Sequence, residues 1–222
     1  KVQKYFPNIG SNFVAWQVEK KKRQGLTEFV DENIWIDLGS VNHYTKDWKY
    51  NETISKILDE NECFPVESGQ NYYHTEITKN NRLSPTSSSK FKYKLRRTIN
   101  ETRYIYGLEE PTDYKISKML FSYSGYPNFE FADENNPCGT IKFASGYIRV
   151  ANKKEYDNLL NIYESSFYKW LRNQKSPGGM LGASIYTLPK MPLNKKYSND
   201  EILKHFGKYL DGETIELIKS NY

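Results

Sequence analysis

Cysteine is almost missing from this chain: Cys63 and Cys138 are the only two in 222 residues, and neither has a CxxC partner. That excludes a disulfide framework and a structural zinc centre, and it favours a reducing, cytoplasmic setting. Histidine is as scarce, and His43, His74 and His205 lie too far apart in sequence to read as a histidine metal site. No run of about 18 apolar residues occurs, so a membrane span is not expected. A charged-then-apolar leader is missing as well, although Lys1 and residues 2–6 read as the interior of a longer chain, so an upstream portion is expected. Neither a P-loop nor a Gly-x-Ser-x-Gly element appears.

Aromatic residues are plentiful, with 19 Tyr, 11 Phe and 4 Trp making up 15% of the chain, so the core and its margins are rich in rings. Thirty-two Lys and Arg against 27 Asp and Glu leave a net charge of +5, a mild excess that suits a polyanionic partner. The length fits one domain, 1–222, with an optional division into a basic half, 1–110, and a more apolar scaffold half, 111–222.

Apolar spacing sets out the elements. Alternation predicts strands over 12–19, 33–38, 90–96, 118–123 and 139–150. Ile54, Ile57 and Leu58 predict a helix within 51–60. Asn152 with Glu155 resembles a capping box and opens a stripe of Tyr156, Leu159, Leu160, Tyr163, Phe167, Trp170 and Leu171, which predicts one long helix used for core packing. Ser198 with Glu201 is a second capping box, heading a short helix that stops at Gly207, and another helix is expected over 213–220. The pattern is that of an α+β fold: a mixed or antiparallel sheet, one long amphipathic helix and short C-terminal helices.

Candidate chemistry is sparse. Glu19-Lys20-Lys21 matches half of a nuclease carboxylate site but lacks an upstream Asp. The basic residues are more informative. Lys20, Lys21, Lys22 and Arg23 form one run, and Arg82, Lys90, Lys92, Lys94, Arg96 and Arg97 form a second, interleaved with Tyr72, Tyr73, Tyr93, Tyr104 and Tyr106. Lys and Arg neutralise phosphates, Arg reads guanine edges, and rings pack on sugars or bases, so these ten cations are the candidate DNA contacts. A strand over 90–96 would put Lys90, Lys92, Lys94 and Arg96 on one face and Phe91, Tyr93 and Leu95 on the other. The same pattern also fits a solvated edge strand guarded by lysines. The loops 84–89 and 176–180 are candidate base readers.

Three segments carry a family resemblance. Tyr5-Phe6-Pro7-Asn8-Ile9-Gly10-Ser11-Asn12-Phe13, the strands at 118–126 and 138–150, and the tail from Leu188-Pro189 through Tyr197-Ser198-Asn199-Asp200-Glu201 to Phe206-Gly207 together resemble the C-terminal target-recognition region of type II (Eco57I-like) adenine-specific DNA methyltransferases. Tyr197 stands where that family usually has Trp, and Lys208 where Leu often follows. The resemblance implies double-stranded DNA and an upstream methyltransferase domain as partners. It implies S-adenosylmethionine as the cofactor of the parent enzyme, with no cofactor or catalytic residue in this chain. The family's catalytic turn, Asn-Pro-Pro-aromatic, is approached only by Asn136-Pro137-Cys138-Gly139, which lacks the second proline and the base-stacking ring and reads as a plain turn. Two other readings stay open. One is a restriction endonuclease with carboxylates among Asp31, Glu32, Asp37, Glu130 and Asp133. The other is a protein-interaction module whose charge only solubilises it.

Overall fold

The computed structural model describes residues 27–29, 34–36, 45–73, 76, 82–97, 103–123, 128–175 and 183–222. The strand expected over 12–19, the run Lys20 to Arg23 and the loop 176–180 lie outside the described residues.

The chain has an α+β fold. A short ribbon pairs β1 (Thr27–Phe29) with β2 (Ile34–Ile36), Glu28 opposite Trp35. Ile54, Ile57 and Leu58 line the buried face of α1 (Asn51–Asp59), as their spacing requires. A four-stranded sheet then runs in the order β3 (Leu83–Ser84), β5 (Tyr104–Gly107), β4 (Tyr93–Arg96), β8 (Gly139–Thr140). Its β4–β8 pair is parallel and the others antiparallel. At Gly107 a Cβ would collide with the ring of Tyr72, which packs across the end of β5. The third sheet is antiparallel and places β6 (Lys118–Ser122) between β7 (Glu130–Ala132) and β9 (Ser145–Arg149). All five residues of β6 are buried, as befits a central strand covered on both faces.

The long helix expected after Asn152 is two helices, α2 (Lys153–Tyr163) and α3 (Ser166–Gln174). The break falls at Ser165, whose backbone is extended (φ −65°, ψ 155°). Its hydroxyl donates to Ile162 O at 2.7 Å and accepts from Tyr168 N, so it closes one helix and caps the next. Splitting the stripe lets α3 bury Phe167, Tyr168, Trp170, Leu171 and Arg172 nearly all round. Short α4 (Ala183–Tyr186), α5 (Asn199–Phe206) and α6 (Gly212–Asn221) complete the layer, and Ser198 with Glu201 forms the expected capping box. Phe167 stacks on Phe206 at 4.4 Å, and Tyr186 stacks on Phe121 at 4.0 Å, which joins the helices to the third sheet.

Two predicted strands are shorter than their patterns. Only residues 93–96 of the 90–96 alternation pair as β4, and 139–150 divides into β8 and β9 around a turn. In that turn Phe143 has φ 67°, the left-handed region, which costs a residue with a Cβ about 1–2 kcal/mol.

The two halves of the chain interlock. The stretch from Cys63 to Tyr73 bridges forward three times: Cys63 to Pro189, Glu67 to Tyr147 and Tyr73 to Lys142. Among the described residues no helix is long and apolar enough to cross a membrane.

Candidate nucleic-acid interface

The four-stranded sheet has one apolar and one polar face. Leu95 sits opposite Ile105, and both are buried with Tyr72, Ile141 and Ala144. Because side chains alternate along a strand, Lys94 opposite Tyr106 and Arg96 opposite Tyr104 occupy the other face.

The candidate cations part company, Arg96 and Lys94 on that face and Lys92 and Lys90 in the segment before β4. Arg96 is wholly buried: one guanidinium nitrogen donates to Glu130 Oε2 at 3.0 Å and another to Asn128 O at 2.9 Å. The Tyr104 hydroxyl donates to the same carboxylate at 2.6 and 2.7 Å, and burial, reinforced by that hydrogen bond, pushes its pKa up to about 12. Alternation placed Arg96 on the lysine face, and so it is, but the β7 segment covers that end of the face. In this arrangement Arg96 is a buried ion-pair partner and not a surface contact. Lys94 is half-buried, 5.0 Å over the Tyr104 ring, and donates to Asn136 Oδ1 at 3.1 Å. Lys92 and Lys90 are exposed, 5.1 Å over Tyr93 and 5.4 Å over Phe91. Each of the three lysines thus sets its ammonium group over a ring, Lys90 and Lys92 at the surface and Lys94 half-buried.

The remaining candidates are placed differently. Arg82 is ion-paired to Glu76 at 2.8 Å and Glu109 at 3.4 Å and lies 4.9 Å over Tyr72, so a phosphate would have to displace two carboxylates to reach it. Arg97 is half-buried and continues β4, its N–H donating to Arg103 O at 2.9 Å. Lys20, Lys21, Lys22 and Arg23 are outside the described residues. The loop ahead of Lys90 is exposed over residues 85–89 and is drawn into tight turns, with Ser84 Oγ donating to Thr86 O at 2.8 Å and Phe91 N donating to Ser88 Oγ at 3.1 Å.

Two of the five carboxylates offered for a nuclease are otherwise engaged. Glu130 is held by Arg96 and Tyr104, while Asp133 accepts from the N–H groups of Asn135 and Asn136 at 2.9 Å each, closing the turn read at Asn136-Pro137. Asp31, Glu32 and Asp37 lie outside the described residues. Among the described residues no group of three His, Cys, Asp or Glu could hold a metal ion.

Two cations escape charge patterning. Lys118 is buried in β6, its ammonium bound to Asp113 Oδ2 at 3.0 Å, and the same oxygen accepts from Thr140 N at 2.9 Å and Thr140 Oγ1 at 2.8 Å. Burial lowers the Lys118 pKa against the pull of Asp113, as expected of a charge held inside a fold by one counter-ion. Lys142, isolated in sequence from any basic run, lies 5.2 Å over the Tyr73 ring. Nothing in the sequence marked it, because 139–150 reads as one strand and the turn that carries Lys142 is seen only in the fold.

The class that fold and site define is an α+β domain in which Lys94 of one sheet, and Lys90 and Lys92 of the segment leading into it, each hold an ammonium group over an aromatic ring. No family model matches this sequence, and no curated protein or solved structure shows significant similarity to it.

Proposed function

We propose that this chain is the sequence-specific DNA recognition domain of an adenine-N6 DNA methyltransferase, working beside an upstream catalytic domain. The observation that carries the reading is the row Lys90, Lys92 and Lys94 over Phe91, Tyr93 and Tyr104, next to the exposed loop 85–89. Three ammonium groups at alternate residues, two in the segment that leads into β4 and one on β4 itself, suit a phosphate backbone, and a polar loop beside them suits the edges of bases. The resemblance of the flanking and tail segments supplies the methyltransferase setting. On this reading S-adenosylmethionine is held by the upstream domain, and none of this chain's residues is assigned to it. Lys20, Lys21, Lys22 and Arg23 join the phosphate contacts, as do Arg82 and Arg97 if duplex DNA draws Arg82 from its carboxylates.

Fluorescence anisotropy of the chain with labelled duplex DNA across a salt series tests the reading. Affinity should fall steeply as salt rises, with a logarithmic slope of about −0.9 for each phosphate neutralised. A K90A/K92A/K94A variant should flatten that slope by about three units. Binding that ignores salt, or none at low salt, would overturn the proposal.

A further inference from the structure

The turn between β8 and β9 presents Phe143, 70% exposed and at φ 67°. The N–H groups of Ala144 and Ser145 both donate to Ile141 O at 3.0 Å, which closes the turn tightly with Phe143 as its third residue. Glycine or asparagine accepts a positive φ at that position freely. Phenylalanine there neither suits its backbone nor enters the core.

Its surroundings are specific. Lys142 lies with its ammonium 5.6 Å from the centre of the Phe143 ring and 5.2 Å from that of Tyr73, which is 40% exposed. Among the described residues Tyr73 and Phe143 are the two large hydrophobic side chains that stand exposed. Backbone fixes the group, because Lys142 N donates to Tyr72 O at 2.9 Å and Lys142 bridges to Tyr73. The Lys142 ammonium donates to the Gln70 amide oxygen at 3.2 Å, so the partner shown is neutral, in contrast to the two carboxylates on Arg82.

We infer that Phe143, Tyr73 and Lys142 form a stacking site for one unpaired nucleotide, the base against a ring and its phosphate on Lys142. The inference rests on the DNA-binding reading and deepens it by naming the state of the DNA that is taken. Two open rings with a cation between them offer flat faces and one positive charge, which match a base and its phosphate. A paired duplex hides the faces of its bases, so a ring at the surface gains most from a nucleotide out of the stack.

The test compares a paired duplex, the same duplex with one bulged nucleotide, and the single strand, for wild type, F143N and F143W. Wild type should bind the bulged duplex about tenfold more tightly than the paired one. F143N should lose that preference, bind the paired duplex as wild type does, and melt no lower than wild type because asparagine accepts the turn. F143W should keep the preference. Single strand bound as tightly as the bulge makes the lone base sufficient as ligand; weaker single-strand binding adds flanking duplex to the site. Equal preference for the bulge in F143N and wild type would overturn the stacking site and leave DNA binding standing. A wild type that binds none of the three probes would overturn both.

Discussion

Lys92 and Arg96 lie four positions apart on one alternating pattern, yet Lys92 is exposed and Arg96 is buried. Arg96 is enclosed with Glu130 and Tyr104, so R96M should destabilise the fold by about 3 kcal/mol by urea denaturation, the cost of stranding a mostly buried carboxylate, while leaving the salt slope of DNA binding unchanged. K92A should do the reverse, lowering the slope by about one unit with stability intact, since Lys92 is exposed. Matching effects from the two variants would mean that the row over the rings has no special part in binding. Another residue reports through pH. Lys175 donates to Thr187 O at 2.6 Å from a largely buried position, and burial pulls its pKa down to about 8, against the weaker upward pull of Cys63. Below pH 8 the lysine is charged in both the folded and unfolded chain, and the burden of burying that charge is fully felt. Between about 8 and the ordinary lysine value of 10.5 the folded form has released its proton and the unfolded form has not, so stability rises with pH. The raised pKa values of Cys138, Tyr104 and Tyr186 oppose this rise above their own unfolded values of 9.0 and 10.0, so the contrast is best read against K175M. From pH 7 to 9.5, wild type should gain about 2 kcal/mol relative to K175M in paired urea titrations.

At the scale of the element, the break between α2 and α3 gives a test whose sign decides it. If Ser165 caps α3, S165A should lose about 1 kcal/mol in thermal or urea unfolding. Inside a continuous helix the same change would be neutral or gain a few tenths of a kcal/mol, because alanine is the better helix former. What the sequence disclosed follows the reach of each signal. The Ser198–Glu201 capping box, the buried stripe of α1 and strand β6 were legible because their determinants are neighbours along the chain. The helix break was not, since the apolar spacing continues past Ser165 and the two serines there are the only local mark against it. Of the candidate interface, the alternation of Lys90, Lys92 and Lys94 was legible and the fate of Arg96 was not, because its carboxylate lies 34 residues further on. The pairing of β8 with β4 is more remote still in sequence and is parallel, so no turn between them announces it.

At the scale of the whole molecule, the stretch from Cys63 to Tyr73 is the part on which the rest waits. It has no helix and no strand of its own, and each of its three bridges reaches a partner synthesised much later, the last at Pro189. Contacts so far apart along the chain must close large loops before they repay the entropy spent, which slows the search for the native state. Refolding followed by tryptophan fluorescence should therefore run on the order of milliseconds to seconds, slower than a helical protein of this size. On the ribosome the same geometry means that Phe64, buried in the finished protein, waits about 100 residues for Tyr163 and longer for Leu188, while Tyr72 waits until residues 95–144 for its cover. The seam that ties the two halves together is thus also the place where a nascent chain is most open to aggregation, and where a chaperone would have most to hold.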